Sequence, residues 1–102
     1  MDPFKPYQPR QKDKIASLTL EDAETIALKA MAFIAADEEL MPRFINLTGC
    51  SSIEDIRDRL ADRSFLGSVL DFILGNEPTT IAFAESLSMA PEVPMLARAK
   101  LP

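Results

Sequence analysis

The chain has 102 residues, nearly half of them apolar and a quarter charged, and a formal net charge of −5. That length suits one domain burying about two-thirds of its unfolded surface, and no apolar run approaches the ~20 residues that span a bilayer. Histidine is absent, and with it the commonest general base near neutral pH and the commonest nitrogen ligand. The single cysteine, Cys50, leaves no intrachain disulfide and no thiolate set for zinc.

Residues 1–14 place Lys5, Arg10, Lys12 and Lys14 against Asp2 and Asp13, among Pro3, Pro6 and Pro9. With little apolar surface to offset the entropy of ordering, this stretch reads as a disordered basic arm. It lacks the apolar run of a signal peptide. A single all-helical domain is expected over residues 15–102, which carry 14 acidic and 7 basic side chains. That balance repels phosphate backbones and counts against generic nucleic-acid binding. One cysteine and no membrane segment suit a reducing cytoplasm.

The first helix is predicted over Leu20–Ala36. Thr19 and Asp22 form a variant capping box, and Ala23, Ile26, Ala27, Ala30, Phe33 and Ile34 recur at helical spacing. Its small residues at 23, 27 and 30 would admit a close neighbour. Asp37 is placed to cap the next segment, where Pro42 allows two readings. Either a turn precedes a helix starting at Pro42, or one helix from Glu38 to Thr48 holds proline near its start. Gly49 supplies a C-terminal cap.

Ser51 and Ser52, followed at three residues by Glu54 and Asp55, signal a third helix with Ile53, Ile56 and Leu60 on one face. Asp62 or Ser64 opens a fourth that buries Phe65, Leu66, Val69, Leu70, Phe72 and Ile73, and Gly75-Asn76 ends it. Pro78 suits the start of a fifth containing Ile81, Phe83, Ala84 and Leu87. Pro91 and Pro94 interrupt the tail, where a short helix over Glu92–Ala99 is expected. No stretch alternates with period two, so the fold class is all-α: a compact bundle of five or six short helices.

Two halves of this pattern resemble each other. Phe33-Ile34-Ala35-Ala36-Asp37-Glu38 returns 39 residues later as Phe72-Ile73-Leu74-Gly75-Asn76-Glu77, and Phe44 returns as Phe83. With one inserted residue, Leu47 meets Leu87 and Ile53 meets Val93. Pseudo-repeats over about 20–60 and 61–100 describe two helical-hairpin halves, while chance likeness of two amphipathic hairpins is the competing account.

Three stretches carry a family likeness: ALKAMAFIAADEE over 27–39, RFINLTGCSSIEDIR over 43–57 and FLGSVLDFILGNEPTTIAF over 65–83. Together they resemble a short uncharacterised bacterial family, domain of unknown function 3572. The resemblance implies an all-helical bacterial cytoplasmic protein and supplies no activity, cofactor or catalytic residue. Pro42 and the pair Pro91/Pro94 depart from its more continuous helical pattern.

The isolated glycines at 49, 67 and 75 form no phosphate loop. Cys50 reads as a packed residue rather than a nucleophile, and Asp37-Glu38-Glu39 as capping carboxylates rather than metal ligands. Asp71, between Leu70 and Phe72, is expected at the edge of its stripe, facing water. Met31 is expected in the core. Met89 and Met95, with Leu96, lie in the proline-broken tail, which either seals the domain or docks on a partner or a second copy.

By elimination, these readings point to a non-enzymatic protein-interaction module: a small acidic adaptor or regulatory subunit without cofactor. Met89, Met95 and Leu96 are its candidate partner surface. The alternative is a helix-turn-helix DNA-binding regulator using residues 42–61. There the second helix would offer Glu54 and Asp55 where basic or amide groups normally read DNA.

Overall fold

The computed structural model describes residues 18–102; the anticipated arm over residues 1–14 lies outside them. Six helices follow one another: α1 (Leu20–Ala35), α2 (Leu40–Thr48), α3 (Ile53–Arg59), α4 (Arg63–Leu74), α5 (Glu77–Ser86) and α6 (Val93–Ala99). Among the described residues there is no strand, as the absence of two-residue alternation predicts.

Local hydrogen bonds set most of the helix starts. The Thr19 hydroxyl accepts the Asp22 N–H at 3.0 Å, and the Asp22 carboxylate accepts the Thr19 N–H at 3.1 Å, completing the capping box. Asp37 Oδ1 accepts from Glu39 and Leu40 at 2.8 and 3.0 Å. α2 therefore begins at Leu40, close to the longer of the two expected alternatives. Pro42 sits in its first turn, where a missing N–H costs no helical bond. Ser52, Asp62 and Asn76 cap α3, α4 and α5 in the same manner.

The core forms around α1. Ala23, Ala27 and Ala30 are fully buried, and these small side chains let α4 and α6 both lie against α1. α2 also packs on α1, and α5 on α4. Phe44 of α2 is fully buried, with Phe65 edge-on at 5.9 Å. Met31 and Cys50 are buried as expected.

The tail seals the domain: Val93, Pro94, Ala97 and Leu101 are all buried. Pro94, expected to interrupt this segment, falls in the first turn of α6 and starts a helix instead of breaking one.

Two apolar faces differ from expectation. Ile53 is 62% exposed while Ile56 is buried, and Ile81 is 39% exposed while its neighbours Thr80, Phe83 and Ala84 are buried. In α3 the face turned to the core holds only Ile56 and the half-buried Asp55, with the half-buried Leu60 just past the helix end. In α5 the buried place next to Ile81 goes to Thr80, whose hydroxyl donates to the Ile73 carbonyl at 2.8 Å and ties α5 to the end of α4.

Candidate functional site: an open groove beside the fourth helix

The surface of α4 away from the core forms one wall of a groove. α2 ends at Thr48 because Gly49 takes a left-handed conformation, φ 72°, and its N–H bonds the Ile45 carbonyl at 2.9 Å. The chain then turns away, and α3 makes only sparse contact with any other helix. Between α2, the end of α3 and α4 lies a hollow of about 410 Å³. A second, of about 180 Å³, continues it toward the capping turn of α5. Leu47, Asp71 and Phe72 line both.

Leu47 is 75% exposed at the lip, and Phe65 and Phe72 contribute aromatic surface below it. The charges are engaged elsewhere. Asp71 faces water as expected and binds Arg98 at 2.7 Å; Arg98 also donates to the carbonyls of Leu101 and Pro102 at 3.1 Å each. Arg59 grips Asp55 with two nitrogens at 3.0 and 3.2 Å. The Arg59 hydrogen bond, then the Ser51 N–H, hold the Asp55 carboxyl below its ordinary range, and the same pair raises Arg59. Arg59 and Asp71 are thus both paired, and Arg43 lines the second hollow beside the apolar surface of Leu47 and Phe72.

The sequence candidates lie mostly elsewhere. Of Met89, Met95 and Leu96, Met95 shows most of its side chain, 57%, whereas Met89 and Leu96 are half-buried. The Cys50 sulfur accepts the Thr48 hydroxyl at 3.2 Å inside the protein. Asp37 spends its carboxylate on capping, and among the described residues no three His, Cys, Asp or Glu side chains gather as a metal site. Leu47 escapes sequence reading because its spacing from Leu40 and Phe44 is that of one buried stripe. Only the departure of the chain after Gly49 leaves it uncovered.

The segment proposed for DNA binding is indeed two helices joined at Gly49. Its second helix, α3, has seven residues, with Glu54 and Asp55 in the first turn and Arg59 committed to Asp55. Among the described residues no helix is long and apolar enough to cross a membrane.

No curated protein and no solved structure matches the chain. A family model matches residues 20–102, which is the whole run of six helices, and the chain belongs to that family, described as protein of unknown function DUF3572.

Proposed function

We propose that this domain is a non-enzymatic protein-interaction module, a small acidic cytoplasmic adaptor or regulatory subunit of a bacterial cell. The observation that carries this reading is the open groove with Leu47 at its lip, an aliphatic side chain three-quarters in water above aromatic walls. Met95 on α6 adds a second exposed apolar side chain. Such surface suits a macromolecular partner better than a small substrate, which is usually enclosed on most sides. The neighbouring carboxylates, Asp55 and Asp71, are paired with arginines. DNA binding through residues 42–61 draws less support, because first-turn acids would meet bases and phosphates.

The test is capture from the native host with wild-type protein and the surface variants Leu47→Glu and Met95→Glu, each confirmed folded by circular dichroism. A near-stoichiometric protein retained by wild type and lost from either variant is the expected result. Identical recoveries from all three would sink the reading. So would turnover of a substrate abolished by one carboxylate substitution that leaves the helical signal intact.

A further inference from the structure

The spacing of 39 residues recurs in the backbone and in the packing. Asp37 Oδ1 accepts the N–H of Leu40 at 3.0 Å, and Asn76 Oδ1 accepts that of Thr79 at 3.0 Å. Asp37 and Asn76 stand 39 apart, as do their donors, although Asn76 directly precedes α5 and Asp37 lies in the turn three residues before α2. Among the described residues, left-handed backbone occurs at Gly49, φ 72°, and Ser88, φ 54°. With the one residue inserted before Leu87, the counterpart of Gly49 is Met89, so the two halves turn at neighbouring positions. These are independent of the apolar pattern, which any pair of amphipathic hairpins shares.

Four rings carry the inference further. Phe33 and Phe72 hold matched places in α1 and α4, and Phe44 and Phe83 matched places in α2 and α5. Phe33 packs edge-on against Phe83, with centroids 5.5 Å apart and planes at 64°. Phe72 packs edge-on against Phe44 at 5.4 Å and 84°. Exchanging the halves turns one contact into the other. That reciprocity, i on j and j on i, is the property of a two-fold interface between identical subunits. Glu24 meets Arg63 at 2.6 Å, and these residues are themselves 39 apart, as expected for a pair beside the axis.

We propose that the domain is an internal duplication in which α1–α2 and α4–α5 are two copies of one unit, related by an approximate two-fold axis and paired like the subunits of a dimer. The surface between the halves is therefore self-complementary, and the partner that each two-helix unit fits is a copy of itself. Symmetry fails at the helix that follows each unit. α6 packs on α1, α4 and α5, whereas α3 touches other helices sparsely. Val93 is 7% exposed and its counterpart Ile53 is 62% exposed. The duplication is independent of what the groove binds.

The test is made in the full chain by urea titration. Phenylalanine-to-leucine cycles at Phe33/Phe83 and Phe72/Phe44 should show matching coupling, about two- to tenfold in the folding constant. Coupling in one pair alone, or in neither, overturns the proposal.

Discussion

At Gly49 nothing lies within 4 Å of the position a Cβ would occupy, so the need for glycine there is conformational rather than steric. Gly49→Ala should cost about 1–2 kcal/mol, the ordinary penalty of left-handed backbone for a residue with a Cβ. Ser88 pays that penalty already at φ 54°, so Ser88→Gly should be neutral to stabilising by up to about 1 kcal/mol, both read from urea unfolding. Gly67 presents the opposite case. A Cβ there would stand 3.0 Å from the Pro102 carbonyl and 3.1 Å from the Arg98 guanidinium. Gly67→Leu should cost about 1–3 kcal/mol and displace the tail, seen as shifted amide resonances at Arg98 and Leu101. Unshifted resonances would show that the close approach is unimportant. Gly49 was legible as a cap from its place after an apolar stripe. Gly67 was not, because its neighbour arrives from 31 residues away.

The helices were legible chiefly at their starts. Thr19, Asp37, Ser52 and Asp62 each bond an N–H two or three residues on, a reach that needs no tertiary contact, whereas Asn76, which the sequence reading placed at the end of α4, caps α5 in the same way. α3 shows how far such local bonding goes. It is held by the Ser52 cap and the Asp55–Arg59 pair while packing sparsely on its neighbours. Because Asp55 titrates below its ordinary value in the folded protein, its stabilisation is complete above the unfolded pKa of about 3.9 and disappears as pH falls through the lower folded value. Cα chemical shifts of α3 should therefore move toward coil below about pH 4 before those of α1 do. Asp55→Asn should remove that early step, and an unchanged step in the variant would assign it to another group. The apolar faces were less legible: Ile53 and Ile81 share helical spacing with buried residues yet lie in water.

Across the whole molecule, similar apolar side chains contribute very differently. Phe44 is fully buried, with the rings of Phe65 and Phe72 edge-on to it, so Phe44→Ala should cost about 3–5 kcal/mol. Leu47, one turn further along α2, should cost within about 0.5 kcal/mol on replacement by alanine. Comparable losses in urea unfolding would mean that the groove is closed in solution. By itself the sequence determined the all-helical class, the starts of α1 and α3, and the burial of Met31 and Cys50. Those follow from hydrogen bonds within one turn and from periodicity along one helix. Only the tertiary structure decided that α6 covers α1 and α4 while α3 stands apart, that Leu47 and Ile53 meet water, and that Asp71 pairs with Arg98. Each of these depends on where a distant segment comes to rest, and spacing along a single helix carries no information about that.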